Sequence, residues 1–355
     1  MTLETRHLPL PDRADDPGWL DYQRLLDLFN HELLDGPGWD SSPESALELS
    51  RRSVREWRQA RFLAYLDDEA VGFGVLRINI RDDPEAGNLM VYVAPDHRGA
   101  GIGRLLAGRL EQAVRAEGLS RLNVWLEMPL PTAELLLPTT GVGAVPADNP
   151  GVRMAQAYGF ALEQVERVSR YDFASPLVDP REALAEASSR AGDDYEVVTW
   201  EGPTPEPLLD GVAALKQRMA TDPPAGGLVV VEAPWDAQRV RELEDRLLPG
   251  LRFWRAVALH RPTGAVVALS ELTRERSNPQ GLVGQSDTIV LPEHRGHRLG
   301  MLTKAANLIQ VREAAPDAEA ILTWNAEENR HMLDVNEALG FYPFLVEGAF
   351  QRLLS

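Results

Sequence analysis

The chain has 355 residues, 44% of them hydrophobic and 25% charged, a globular composition with room for two domains, each with its own core. A formal charge of −18 argues against a nucleic-acid partner, whose phosphates call for clustered Lys and Arg, and the absence of cysteine excludes disulfides, thiolate metal sites and a thiol nucleophile. No apolar run approaches the roughly 20 residues of a membrane span, and MTLETRHLPLPDRADD lacks the apolar core of a secretory signal, so a cytoplasmic protein without a membrane partner is expected.

Helical patterns over 20–34 and 42–59 come first, followed by three strand candidates, RFLAYL, VGFGVLRINI and LMVYV. The third strand ends at Pro95. Beyond Gly103, Leu105, Leu106, Leu110 and Val114 recur on one helical face that Gly118 closes. A strand at RLNVWLE leads into the proline- and glycine-rich PLPTAELLLPTTGVGAVPADNPG, then a short helix ending at Gly159-Phe160 and an extended run, LEQVERVSRYDF. SPLVDPREALAEASSRAGDD has no clear apolar face and reads as a linker or a bridging helix.

The same order then returns. Helices at 207–219 and 237–247 precede FWRAVALH, VVALSELT and DTIVL. Pro292 ends the third strand, and Leu302, Ala305, Ala306, Leu308 and Ile309 form a second helical stripe that Pro316 closes. AEAILTWN, a helix ending at Gly340-Phe341 and FLVEGAFQRLL complete the repeat. The expected class is mixed α/β in two tandem domains, 1–175 and 195–355, joined by 176–194. Arg98 and Arg295 are 197 residues apart and the Gly-Phe pairs 181, so the long loop makes the first half about 16 residues longer, a length that fits a lid.

At the junction of strand and helix, VAPDHRGAGIG (93–103) is nearly repeated as VLPEHRGHRLG (290–300). A glycine-rich turn there presents unpaired N–H groups and the positive end of the helix dipole at one point, where phosphate binds. Gly99, Gly101 and Gly103 let a phosphate lie on bare backbone, and Arg98 supplies a cation. The dinucleotide fingerprint requires G-x-G-x-x-G after the first strand of its unit, and the triphosphate loop requires Lys followed by Ser or Thr; neither is present.

Arg98-Gly99-Ala100-Gly101-Ile102-Gly103 resembles the Q/R-x-x-G-x-G/A signature of the GCN5-related N-acetyltransferases (GNATs). Val91-Tyr92-Val93-Ala94-Pro95 and Gly159-Phe160 match the flanking pattern, and the element order covers essentially the whole chain, once per half. The resemblance implies two GNAT-like domains, each a mostly antiparallel mixed sheet with a central splayed strand pair flanked by helices. It implies acetyl-coenzyme A as co-substrate, with pyrophosphate on the N–H groups of residues 98–103 and pantetheine along Val91–Val93. Direct attack by the amine of a small-molecule acceptor is expected, without an acyl-enzyme and without a metal. A non-catalytic acyl-coenzyme A sensor and a protein-lysine acetyltransferase are the alternatives.

In the second copy Arg298 stands where Gly101 stands, so Val290, Arg295, Gly296, Arg298 and Gly300 form a weaker candidate site together with Asn325 and Asn329. The tyrosine that the family often places four residues before the Gly-Phe glycine is replaced by Ala155 and Asn336, which leaves the general acid open. Glu127 is the candidate general base, with Asp287 as its second-half counterpart, and Asn336 is a candidate polar catalytic contact.

Overall fold

In the computed structural model, which describes residues 2–34 and 36–354, each half has a strand, β1 or β9, immediately ahead of the two expected helices. The first half runs β1 (Leu3–Leu8), α1 (Pro17–Leu34), α2 (Pro43–Ser53), β2 (Trp57–Leu66), β3 (Glu69–Asn79), β4 (Asp83–Val93), α3 (Ile102–Glu117), β5 (Arg121–Pro129), the two-residue β6 (Leu135–Leu136) and β7 (Val145–Pro146), α4 (Pro150–Ala157) and β8 (Ala161–Asp172). The second runs α5 (Pro180–Ala191), β9 (Tyr195–Glu201), α6 (Leu209–Met219), α7 (Ala237–Leu247), β10 (Leu251–His260), β11 (Ala265–Glu275), β12 (Val283–Val290), α8 (Leu299–Ala314), β13 (Ala320–Ala326), α9 (Arg330–Ala338) and β14 (Tyr342–Leu353). The fold is mixed α/β, with mostly antiparallel sheet flanked by helices.

The chain divides into two compact units that do not follow the boundaries expected at 175 and 195. One holds the chain up to Val165, Gly226–Leu228 and the residues from Val346 on; the other holds Glu166–Ala225 and Val229–Leu345. In the first, β1 to β5 lie in sequence order and the end of β14 lies beside β5, where Gln351 donates to Asn123 (2.9 Å). In the second, residues 166–172 of β8 pair antiparallel with β13, and β12, β11, β10 and β9 follow. Each half of the sequence thus gives part of its last strand to the unit built mainly by the other half.

One pairing in each unit is parallel and short. β4 meets β5 over Ala86–Asn88 and Arg121–Asn123, and beyond them β4 continues to Val93 without a β5 partner. β12 meets β13 only at Val283–Ile321 and Gly284–Leu322. Strands that stop pairing while both continue open a gap in the sheet.

The helices cover the two faces of each sheet. α3 buries Ile102, Leu106, Leu110 and Val114, each contributing about 1.5–3 kcal/mol of apolar burial. On the opposite face of the first unit, Trp19 and Leu25 of α1 pack with Phe73 and Tyr92. The segment read as a linker or bridging helix is the packed helix α5, whose Ala183, Ala187 and Ala191 lie buried against the α8 core. α8 is consequently buried nearly all round, including Thr303, Lys304 and Asn307. The long loop of the first half is tied down: Val145 is fully buried, and Thr139 bonds the Leu162 carbonyl (3.0 Å) and Glu163 (2.8 Å). Among the described residues no helix is long and apolar enough to cross a membrane.

Candidate active site

The first glycine turn leaves its amides open because of its backbone shape. Gly99 and Gly101 adopt φ of +81° and +84°, which L side chains rarely adopt, and Gly101 is the residue from which α3 starts. Most other helix starts here carry a side-chain cap: Ser42, Asn149, Asp179, Asp236 and Asn329 each accept a hydrogen bond from an amide in the first turn. α3 has no side-chain cap, so its first-turn amides lack the partner that caps supply elsewhere. A Cβ built on Gly99 or Gly101 would meet nothing within 4 Å, so the turn faces open space. This cradle fits a phosphate group.

Arg98 does something other than the sequence predicts. Its amide donates to Pro95 O (3.2 Å), its Nε to Val93 O (2.9 Å), and its two terminal nitrogens form a fork on Glu32 at 2.7 and 2.6 Å. The bidentate pair locks the guanidinium onto the end of α1, and the hydrogen bonds it donates to Glu32 raise its pKa. Arg98 therefore braces the turn against β4, and the open amides begin at Gly99.

The gap between β4 and β5 has two distinct faces. Val91, with Ala107 and Leu110 of α3, Val124 and Leu126 of β5, and Met154 and Ala155 of α4, lines a cavity of about 90 Å³. Gly103 sits beside Met154 at the mouth, where a Cβ would lie 3.7 Å from its Sδ. Strand alternation turns Glu127 to the other face, the one bearing Tyr92. There Tyr92 donates to Glu32 (3.3 Å), and burial, followed by Glu32, pushes its phenol up to about 12. Farther along α1, His31 meets Asp40 at 2.7 Å, and burial and then Asp40 push Asp27 up to about 6, against the pull of His31. The structure thus brings Val91, Val93 and residues 99–103 together on the α3 side and leaves Glu127 on the opposite face. Sequence reasoning missed Glu32, Asp27 and Asp40, which carry no local motif.

The second copy keeps the backbone that its sequence alters. Gly296 has φ +88°, and Arg298, at φ +60° and ψ +19°, starts α8 in the left-handed conformation that Gly101 takes for α3. A non-glycine residue pays about 1–2 kcal/mol there, so the turn is held by its surroundings. Arg295 repeats the brace, with its amide on Pro292 O (3.3 Å), its Nε on Val290 O (3.3 Å) and its guanidinium 3.5 Å from Asp222. Val290, Arg295, Gly296, Arg298, Gly300 and Asn329 line one cleft of about 740 Å³. Asn329 caps α9 by accepting from Met332 N (3.3 Å). Asn336 donates to Asn325 (2.6 Å), and its Oδ1 is buried without a partner, as is Thr288 Oγ1 on the cleft wall.

Asp287 projects to the opposite face of β12, where Lys216 Nζ donates to it (2.6 Å) and to Glu271 (3.0 Å). Arg255 joins Glu271 (2.5 Å) to Glu244 (3.0 Å), completing a buried chain of charges. Burial would push Glu271 up, but Lys216 and Arg255 bring it down to about 2. The charges inside FWRAVALH and VVALSELT were a legible signal of this network.

Comparison with known proteins places these features. Residues 22–134 match the family model described as Acetyltransferase (GNAT) family. No curated protein matches the sequence. Among solved structures, a tandem GNAT protein from the clavulanic acid biosynthesis pathway is similar at TM-score 0.75 and 24% identity over 99% of this chain and 98% of that one. A GNAT from Sphaerobacter thermophilus is similar at TM-score 0.61 and 16% identity over 99% and 95%. A GCN5-related glucosamine N-acetyltransferase region of a fungal multi-domain β-N-acetylglucosaminidase is similar at 0.61 and 18%, over 99% of this chain and 38% of that one. The protein has the tandem GNAT fold, and residues 22–134 of its first half match the GNAT acetyltransferase family model.

Proposed function

We propose that the protein transfers an acetyl group from acetyl-coenzyme A to the amine of a small-molecule acceptor in the cytoplasm, by direct attack without an acyl-enzyme. The observation that carries this reading is the uncapped, positive-φ glycine turn of the first half, set at the mouth of the gap between β4 and β5. Amides from Gly99 to Gly103 hold the pyrophosphate, and the pantetheine lies along Val91 and Val93. A backbone N–H of β4 polarises the thioester carbonyl. The amine nitrogen forms the new C–N bond as the C–S bond breaks, and coenzyme A leaves as the thiolate, which takes a proton from water. A thiol of pKa about 8.5 is a good enough leaving group that the missing tyrosine does not stop the reaction. Glu127 takes the amine proton, and the carboxylates of Glu32, Asp27 and Asp40 favour a cationic acceptor.

The test is repeated release of coenzyme A from acetyl-coenzyme A with a panel of small amines, in wild type and Gly101→Glu. Turnover that the substitution removes supports the reading. Binding without turnover favours a sensor, and turnover with lysine peptides alone favours a protein acetyltransferase. The cleft of about 740 Å³ and the conserved turn geometry of the second half favour a second reading, in which that half also binds the coenzyme.

A further inference from the structure

Trp125 of β5 leaves its ring in the open. The residue is 42% exposed, and among the described residues its indole makes no aromatic, cation–π or hydrogen-bonded contact. Tryptophan is on average a well-buried residue, so a bare indole calls for an explanation. Elsewhere the chain lays its own cations on its indoles: Arg77 stands 4.7 Å from the ring centre of Trp57, Arg239 4.3 Å from that of Trp235 and Arg252 4.5 Å from that of Trp254. The place of Trp125 is equally telling. β4 and β5 last pair at Asn88–Asn123, and Met90 and Trp125 stand two residues farther on, where the gap between the strands begins. Val124 and Leu126 line the cavity on the α3 side, so strand alternation turns Trp125 and Glu127 to the opposite face, about 7 Å apart along β5. α1 lies over that face, with Glu32 on Tyr92, and comes within 8 Å of β5 between Cα atoms. In the second half Trp324 takes the place of Trp125, but it is half-buried and Ala326 replaces Glu127.

We infer that the face of Trp125 is a cation subsite for the acceptor, and that the first half acts on linear diamines. One ammonium rests on the indole while the other nitrogen, as the neutral amine, attacks the thioester beside Glu127. The inference rests on the coenzyme reading given above: with the coenzyme on the α3 side, the acceptor approaches through the gap from the side of Trp125. The negative face of the indole attracts a cation, and the formal charge of −18 draws a doubly charged amine to the protein. A chain of about four methylenes, with bonds of about 1.5 Å, spans the distance from the ring to Glu127. The distal nitrogen keeps its proton throughout, and the transfer at the reacting nitrogen is the one already described.

The test is the rate of coenzyme A release from acetyl-coenzyme A with diaminobutane, diaminoethane, butylamine and phenethylamine, in the full-length wild type, Trp125→Ala and Trp125→Phe at physiological salt. In wild type, kcat/KM for diaminobutane should exceed that for butylamine by about three- to thirtyfold, carried by KM with kcat alike, because a cation held away from the reacting centre binds equally in ground and transition states. Diaminoethane, too short to reach both groups, should show no such gain. Trp125→Ala should bring the ratio of diaminobutane to butylamine down to about one and Trp125→Phe should keep part of it; the ratio is independent of how much of each variant folds. A ratio unchanged in Trp125→Ala, or equal gains for the two diamines, overturns the cation subsite and leaves the coenzyme reading intact. Phenethylamine outrunning diaminobutane in a Trp125-dependent way also overturns it, making the indole a stacking surface for aromatic acceptors. Absence of turnover with every amine overturns the subsite and the coenzyme reading together.

Discussion

The two halves share a backbone plan and differ in what fills the gap between their splayed strands. β3 pairs Leu76 with Leu89 and Gly74 with Val91; at the same places β11 pairs Leu272 with Gln285 and Ser270 with Thr288. Ala107 and Leu110 on α3 become Lys304 and Asn307 on α8, and Ala155 on α4 becomes Asn336 on α9. The parallel pairs Asn88–Asn123 and Gly284–Leu322 set Val124 and Leu126 against Thr323 and Asn325. Leucine is kept at 76 and 272, and every other one of these positions exchanges an apolar or small side chain for a polar one. The first half keeps the glycines and an open apolar cavity, whereas the second keeps the turn's shape and packs the gap with hydrogen-bonded groups. One fold thus separates into a half with an open apolar gap and a half whose gap is filled by buried polar groups.

The largest effect that sharpens this comparison is expected in the buried charges that the second half alone possesses. Val75 stands in the first half where Glu271 stands in the second. Glu271→Leu leaves Arg255 without one carboxylate and Lys216 with Asp287 alone, and should destabilise the second unit by about 3–5 kcal/mol, read as a shift in denaturant midpoint. An unchanged midpoint would show that the network carries no net stability.

Lys304 comes next. Burial pushes its ammonium down to about 7, since its hydrogen-bond partner is the neutral Gln285. The unfolded chain holds the proton up to about 10.4, so between about pH 7 and 10 it binds more protons than the folded chain, and stability rises with pH across that window. Lys304→Met should therefore gain about 2 kcal/mol at pH 7, after loss of the Gln285 bond, and the gain should shrink at pH 9. Unfolding curves of wild type and variant at the two pH values check this, and a pH-independent difference would contradict it. The smallest effect is at Arg298, where Arg298→Gly removes left-handed strain and adds about 0.5–1 kcal/mol, visible as a rise in Tm.

Much of this plan was legible in the sequence because it rests on local rules. The switch from strand to helix period, the prolines at 95 and 292 and the glycines that demand positive φ identified β4, α3 and the turn. β1 and β9 were not legible, since edge strands such as LETRHL are polar and mostly exposed. α5 stayed open between a linker and a bridging helix because alanines at 183, 187 and 191 make a faint stripe, and it becomes a core face only where α8 packs against it. The exchange of the last strands could not be read at all: β8 and β14 look alike as apolar runs, and partner choice is a tertiary matter. At the site, the fork of Arg98 on Glu32 spans 66 residues of sequence, so the arginine's geometry, unlike the glycines', had no local signature.

The most direct measurement is calorimetric titration of acetyl-coenzyme A into wild type and Gly101→Glu, with turnover on the best amine followed in parallel. A side chain at Gly101 meets open space, so the substitution places a carboxylate in the phosphate cradle at a folding cost of only about 1–2 kcal/mol. The account predicts that turnover disappears and that the first-half binding event is lost, while any second-half event survives. Turnover and binding that persist unchanged in Gly101→Glu would contradict it and move the chemistry to the cleft around Arg298.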